Sequence, residues 1–111
     1  MFEKYAKWIE ENREKFIKIS DKIWGYAETG LKEYKSSELL IKTLEEDGFA
    51  VKKGVADMKT SFVASYGDSS PIIAILGEYD ALPGLSQAAE PIRKPIQEGT
   101  PGHGCGHNLL G

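Results

Sequence analysis

The sequence predicts an α/β fold in which two N-terminal helices are followed by the first strands of a mixed sheet. Residues 2 to about 27 and 33 to about 47 repeat apolar side chains at spacings of three, four or seven, the period of an amphipathic helix. After residue 48 the pattern changes to short runs of β-forming residues, the last of which is apolar throughout. A chain of 111 residues has the length of one small domain.

Both predicted helices have an apolar face and a charged face. Trp8 and Trp24 widen the apolar face of the first helix, and we expect both to pack in the core. Gly30 is expected to provide the left-handed residue that ends this helix. Ser36 or Ser37 is expected to cap the start of the second helix, since serine is a preferred N-cap residue.

Three strands are predicted after the helices, at 49–55, 60–66 and 72–77. The turn-forming segment 67–71 predicts an antiparallel hairpin between the last two. Because the third run does not alternate, it is predicted to be buried on both faces, as in the centre of an α/β sheet. Two helices cover only one face of such a sheet, so the sequence indicates an incomplete domain whose sheet requires more chain or a partner.

Composition and charge exclude several classes of function. Hydrophobic content of 41% and charged content of 28% are those of a soluble globular protein. A net charge of -3 with dispersed Lys and Arg gives no reason to expect nucleic acid or anionic membrane as a partner. A single cysteine forms no internal disulfide, and no apolar run approaches the length of a membrane span. We therefore expect a cytoplasmic location.

The residues that carry chemistry are concentrated in the segment 101–111. The only cysteine, Cys105, and both histidines, His103 and His107, lie within five consecutive residues. Thiolate and imidazole are preferred ligands of zinc-like ions, and side chains two apart in extended backbone point to the same side. Gly104 and Gly106 are expected to leave room for an ion. The pattern favours a metal site, although a closed or catalytic site needs further ligands from elsewhere.

A second acidic cluster, Glu78 and Asp80, follows the last predicted strand. In open α/β sheets this end of a strand is where ligands bind. The two carboxylates are two residues apart, so in extended backbone they point to the same side. The alternatives are a solvated strand end for Glu78 and a turn residue for Asp80. Cys105 and His107 also have an alternative, as a nucleophilic pair. That interpretation is weaker because a catalytic thiol and its base normally come from separate parts of a fold.

The sequence His-Gly-Cys-Gly-His-Asn at 103–108 resembles the His-x-Cys-Gly-His-Asp signature of the dimetal aminoacylase/carboxypeptidase family, metallopeptidase family M twenty. Residues 27–33 are similar to the family's Pro-Glu-Leu-Gly-Phe-Glu-Glu segment, and 60–64 to its next landmark. Residues 78–83, Glu-Tyr-Asp-Ala-Leu-Pro, resemble its Asp-Met-Asp-Ala-Leu-Pro. These landmarks occur in order and cover nearly the whole chain. The sequence departs from the pattern at Asn108 and Glu78, which both replace an Asp.

The resemblance implies hydrolysis of the amide bond of N-acyl or N-aroyl amino acids or dipeptides, by water bound to one or two Mn²⁺ or Zn²⁺ ions. By position, Cys105 and His107 would be metal ligands, and Asp80, His103 and Asn108 would lie in the outer shell. The general-base glutamate and the remaining ligands are expected beyond residue 111.

Residues 1–111 are therefore expected to be the N-terminal part of one catalytic domain, with no catalytic residue of its own and no activity alone. Its expected partners are a small-molecule amide substrate and either the remaining part of the enzyme or a second copy. The alternative is a non-catalytic module that binds metal or completes a sheet.

Overall fold

A computed structural model describes the whole chain, residues 1–111. Two helices precede two strands, which confirms the predicted α/β class: α1 Phe2–Tyr26, α2 Tyr34–Glu46, β1 Ala50–Lys53 and β2 Phe62–Ser65. Short 3-10 helices occupy Val55–Asp57 and His107–Leu109. Neither α-helix combines the length and the apolar character needed to cross a bilayer.

Helix α1 ends differently from the prediction. Ala27, with φ 45°, is the left-handed residue that follows it, and its N–H donates to the carbonyl of Ile23 at 3.1 Å. The predicted cap at Gly30 is therefore wrong, because the helix has already ended three residues earlier. The predicted core position of Trp8 is also wrong. Its side chain is 53% exposed and contacts the ring of Phe16, since no element of the chain covers the first turns of α1.

Helix α2 is capped from outside. Neither Ser36 nor Ser37 is its cap, since both lie buried within the first turn of the helix. The carboxylate of Glu28 instead accepts the backbone N–H groups of Lys35 at 3.0 Å and Ser36 at 2.8 Å, and the Ser36 hydroxyl at 2.9 Å. A carboxylate at a helix N-terminus satisfies N–H groups that have no partner within the helix.

The sheet is a two-stranded antiparallel hairpin in which Ala50 lies opposite Ser65 and Lys53 opposite Phe62. Helix α2 packs against it and α1 packs against α2. The small buried hydrophobic core contains residues from α1, α2 and the segment after the sheet: Ile23, Leu40, Ile41 and Ala81.

The predicted third strand is absent from the sheet. Residues 72–77 make no strand pairing, and the four large side chains Ile72, Ile73, Ile75 and Leu76 are between 85% and 97% exposed. A strand forms only where a neighbour accepts and donates its ladder hydrogen bonds, and within this chain no segment does so. The radius of gyration, 15.8 Å, accordingly exceeds the value of about 13 Å for a compact domain of this length.

Candidate metal centre

Backbone hydrogen bonds join three separate segments into the candidate site. The N–H of Ala81 donates to the carbonyl of Glu28 at 2.7 Å, which joins the acidic segment, residues 78–83, to the loop between α1 and α2. Leu82 and Gly102 exchange two hydrogen bonds of 3.0 Å, an antiparallel bridge that ties it to the Cys-His segment. The acidic residues and the histidines, which lie far apart in the sequence, are thereby placed side by side.

His107 lies between the two carboxylates that follow the predicted third strand. Its Nδ1 is 2.8 Å from Asp80 Oδ1, and its Nε2 is 3.2 Å from Glu78 Oε2. The hydrogen bond to Asp80, aided by the charges of both carboxylates, raises the pKa of His107. Because a carboxylate only accepts, Nδ1 carries the proton, and in the neutral ring the lone pair lies on Nε2. This is the arrangement by which a carboxylate orients a metal-binding histidine.

His103 and Asn108 attach the segment to helix α1 on either side of Cys105. The Nε2 of His103 is 3.0 Å from the carbonyl oxygen of Ile23, so this nitrogen donates. Its Nδ1 is buried without a partner, and burial lowers the pKa of His103, which favours the neutral ring. The Asn108 amide donates to the hydroxyl of Ser20 at 2.9 Å. Both residues thus fix the position of the loop between them.

Cys105 is free and exposed. The extended backbone expected around it is wrong, because the chain turns at 104–105, Gly106 has φ 77° and His107 begins a 3-10 helix. No group of three or more His, Cys, Asp and Glu side chains is arranged to bind a metal ion. Asp80 and Glu78 face opposite nitrogens of one ring, so a single ion cannot contact both of them together with His107.

Two glycines of the segment, Gly102 and Gly104, lie against the loop that begins at Leu85. A Cβ on Gly104 would lie 2.5 Å from Leu85 Cδ1, and one on Gly102 would lie 2.0 Å from the carbonyl oxygen of Leu85. The obstacle at Gly102 is backbone, so this position requires glycine, whereas at Gly104 it is the end of the Leu85 side chain, which can shift. At Gly106 a Cβ would meet no atom within 4 Å, so the expected open space is present at that glycine.

Tyr79, between the two acidic residues, contacts the opposite side of the fold, a feature that sequence reasoning missed. Its hydroxyl donates to the carbonyl of Thr60, whose own hydroxyl donates to the buried Glu33 at 2.7 Å. Burial, with a smaller contribution from the charge of Glu33, raises the pKa of Tyr79 to about 12. From the sequence, the indication that Glu78 belongs to the site was its position two residues before Asp80. Nothing in the local sequence indicated that His103 and Asn108 contact α1.

A cavity of about 660 Å³ opens beside His103. It lies between the last turn of α1 and the loop that follows Leu85, and its lining includes Trp24, Tyr26 and Gln87. A concave, largely apolar cavity next to polar groups is the usual form of a small-molecule site.

The donor types present fit a zinc-like or manganese-like ion in part. One thiol, one imidazole with an orienting carboxylate and one further carboxylate are all common ligands of such ions. They do not amount to a complete coordination shell within residues 1–111.

Comparison with known proteins gives relatives over nearly the whole chain, although no family model matches it. The chain is 47% identical over 106 residues to one of the subunits of the p-aminobenzoyl-glutamate hydrolase of Escherichia coli (strain K12), an alignment that covers 93% of the chain and 22% of that protein. It is 32% identical over 110 residues to thermostable carboxypeptidase 1 of Saccharolobus solfataricus, and 30% identical to carboxypeptidase 2 of the same organism. Each of these alignments covers 97% of the chain and 27% of the relative.

The chain thus spans between 22% and 27% of the length of the relatives that it matches. On its sequence, the segment 102–111, Gly-His-Gly-Cys-Gly-His-Asn-Leu-Leu-Gly, resembles that of aminobenzoyl-glutamate hydrolases. The resemblance predicted from the motifs is confirmed: the chain is related over nearly its whole length to hydrolases of the aminobenzoyl-glutamate and carboxypeptidase type.

Proposed function

We propose that this chain supplies part of the metal centre of a hydrolase that cleaves the amide bond of N-acyl or N-aroyl amino acids or dipeptides. The observation that carries the proposal is the pairing of Asp80 with Nδ1 of His107 at 2.8 Å, which directs the lone pair of the neutral ring to Nε2, the nitrogen that faces Glu78. The names of the relatives, an aminobenzoyl-glutamate hydrolase and two carboxypeptidases, support amide hydrolysis as the reaction.

In this proposal Cys105 and His107 bind Mn²⁺ or Zn²⁺, and Asp80 orients His107. When bound, such an ion supplies Lewis-acid polarisation of the amide carbonyl and activates water. His103 and Asn108 act indirectly, because their bonds to α1 fix the loop that carries both ligands. In this proposal the general base and the remaining ligands are not among residues 1–111, so these residues alone should have no hydrolytic activity.

The cavity beside His103 supports an aromatic acyl group as part of the substrate. Trp24 and Tyr26 line it on one side and Leu85 on the other, and it adjoins the Cys-His segment. The aminobenzoyl group named for the E. coli relative is a flat aromatic ring of a size that such a cavity accommodates.

A chimera tests the proposal in a complete enzyme. This chain would replace the matching segment of the related subunit of the E. coli p-aminobenzoyl-glutamate hydrolase, and p-aminobenzoyl-glutamate hydrolysis and bound metal would be measured together. Cys105→Ser and His107→Ala should each lower kcat/KM and metal content by more than about 100-fold, since even outer-shell changes cost about 10- to 100-fold. Glu38→Gln, which removes one exposed carboxylate on α2, should leave both unchanged.

Two results would contradict the proposal. One is a chimera that retains activity and metal after Cys105→Ser and His107→Ala. The other is clear turnover of p-aminobenzoyl-glutamate by residues 1–111 alone, abolished by Cys105→Ser, which would mean that the chain needs no further residues.

A second candidate function, a sheet-completing module without catalysis, is favoured by the exposure of the apolar segment 72–76. The fitting occupant is further chain of the same enzyme that pairs with this segment, because the relatives are about four times as long as the matched region. Sedimentation velocity of the chain mixed with the remaining part of the related E. coli subunit should show a complex that Ile73→Lys and Ile75→Lys weaken. The absence of any complex in that mixture would argue against this function.

A further inference from the structure

We propose that the buried Glu33 is a positioning residue that holds the acidic segment beside His107. It acts through Thr60 and Tyr79, and the result is that Nδ1 of His107 keeps the ring proton. The importance of that proton for chemistry rests on the proposed function, whereas the contacts that carry the inference do not.

The carboxylate of Glu33 does not do what its place in the chain predicts. Glu33 occupies the N-cap position of α2, yet its side chain caps no N–H group of the helix, because Glu28 does so instead. It is only 8% exposed and forms no ion pair. A buried carboxylate without a cation is costly unless hydrogen bonds compensate. Its side-chain hydrogen bond, at 2.7 Å, is to the hydroxyl of Thr60.

Thr60 joins Glu33 to the acidic segment. It is buried, its hydroxyl donates to Glu33, and its carbonyl oxygen accepts the hydroxyl of Tyr79. The ring of Tyr79 also stacks against that of Phe62, with the ring centroids 6.0 Å apart. Because a hydrogen bond between buried groups is costly to break, Tyr79 is fixed both by its ring and by its hydroxyl.

Asp80 is held through both of its neighbours in the chain. Tyr79 precedes it, and Ala81, whose N–H donates to the loop between α1 and α2 at 2.7 Å, follows it. These two anchors fix the direction of the Asp80 carboxylate, which accepts from Nδ1 of His107 at 2.8 Å. The contact of the same ring with Glu78 is longer, 3.2 Å, and that carboxylate is 69% exposed. Asp80 therefore decides which ring nitrogen carries the proton.

The second histidine provides a comparison within the same molecule. His107 donates from Nδ1 to Asp80, whereas His103 donates from Nε2 to the carbonyl of Ile23 at 3.0 Å. The two neutral rings are therefore opposite tautomers, and no hydrogen bond joins His103 to Glu33. Loss of the Glu33 contact should alter the tautomer of His107 alone, whereas a general loosening of the fold should alter both.

The test is ¹⁵N NMR of the two imidazole rings in the 111-residue chain, without metal and at a pH at which both rings are neutral. The chemical shifts of Nδ1 and Nε2 report which nitrogen carries the proton. The variants are Glu33→Ala, Glu33→Gln and Tyr79→Phe, and Glu38→Gln, on the exposed face of α2, is the matched control. Far-UV circular dichroism checks that each variant retains the helices of the wild type.

Glu33→Ala and Tyr79→Phe should each lower the ratio of Nδ1-protonated to Nε2-protonated rings at His107 by about three- to tenfold, since each loses a hydrogen bond that holds the segment. Glu33→Gln keeps an oxygen that accepts from Thr60 and should match the wild type, as should Glu38→Gln. The ring of His103 should stay protonated at Nε2 in every variant. Tyr79→Phe removes a single oxygen atom, so it decides the matter if Glu33→Ala does not fold.

An unchanged His107 ring in the Glu33→Ala and Tyr79→Phe chains would overturn the inference, and so would equal changes at both histidines. Neither result bears on the proposed function, which Cys105→Ser and His107→Ala test separately in the chimera. A chimera indifferent to those two changes would overturn the proposed function and leave the tautomer result standing. A wild-type His107 protonated mainly at Nε2 would contradict the pairing with Asp80 and overturn both.

Discussion

Replacing Glu28 by Ala should destabilise the chain by about 1–2 kcal/mol. The carboxylate of Glu28 accepts two backbone N–H groups and one hydroxyl at the start of α2. Loss of an N-cap side chain costs about 0.5–2 kcal/mol, and hydrogen bonds to charged groups contribute about 1.5–3 kcal/mol each when buried. We use the lower part of these ranges because the Glu28 carboxylate is only partly buried, so water will bind some of the donor groups that lose it.

Urea denaturation followed by far-UV circular dichroism measures this loss, and thermal unfolding provides a second readout. A change of about 1 kcal/mol shifts the Tm of a domain of this size by about 4–8 °C. Glu28→Gln retains one acceptor oxygen and should lie between the wild type and Glu28→Ala. Glu38→Ala, on the exposed face of the same helix, should change the stability by no more than about 0.5 kcal/mol. A Glu28→Ala chain as stable as the Glu38→Ala control would refute the capping argument.

Three further predictions concern the site and its supports. The pKa of Tyr79 is raised to about 12, so its contribution to stability is present below its ordinary pKa of about 10 and is lost as the pH rises towards 12. The stability advantage of the wild type over Tyr79→Phe in urea denaturation should therefore shrink above about pH 10; an unchanged difference would contradict this. Gly102→Ala should destabilise by more than about 2 kcal/mol because its Cβ would meet a backbone carbonyl at 2.0 Å, whereas Gly25→Ala, with no atom within 4 Å, should stabilise by up to about 1 kcal/mol. Equal midpoints for these two variants in thermal unfolding would refute the steric argument. In the chimera, Asp80→Asn should weaken metal binding about 10- to 100-fold by removing the carboxylate that accepts from Nδ1 of His107, measured by chelator competition, and unchanged affinity would exclude an orienting role for Asp80.

The helices could be predicted from the sequence because their signal is local. The period of apolar residues placed both helices within two residues of the observed bounds. Their caps could not be predicted, because the cap of α2 is the side chain of Glu28, which lies outside the helix and across a turn. Likewise, nothing in the local sequence indicates that Ala27 adopts a left-handed conformation before Gly30 is reached.

The third strand shows the limit of pattern reasoning most clearly. The apolar run 72–77 predicts a buried strand, but a pattern does not specify which other segment would bury it. Within this chain no neighbour pairs with the run, so the side chains remain exposed. Strand formation depends on long-range partners, whereas helix formation in α1 satisfies its hydrogen bonds internally.

Sequence reasoning selected the residues of the candidate site but not the contacts that hold them in place. The two-residue spacing of Glu78 and Asp80 predicts that both point to the same side, and in the structure both lie next to His107. The expectation that Cys105 and His107 point the same way depended on extended backbone, and Gly106 turns the chain instead. The bond from His103 to Ile23 spans 80 positions, and no sequence period reports on such a contact.

The exposure of Cys105 gives the molecule an internal probe. Because it is the chain's only cysteine, any thiol-specific reagent modifies a single position, and the measured rate of modification reports on Cys105 alone. If Cys105 binds a metal as proposed, its thiolate becomes a weaker nucleophile, and metal binding can then be followed by the colour that a disulfide reagent develops, without introducing a label. The same accessibility makes the metal-free chain prone to covalent dimers in air, so a reductant that does not chelate metals is required during its purification.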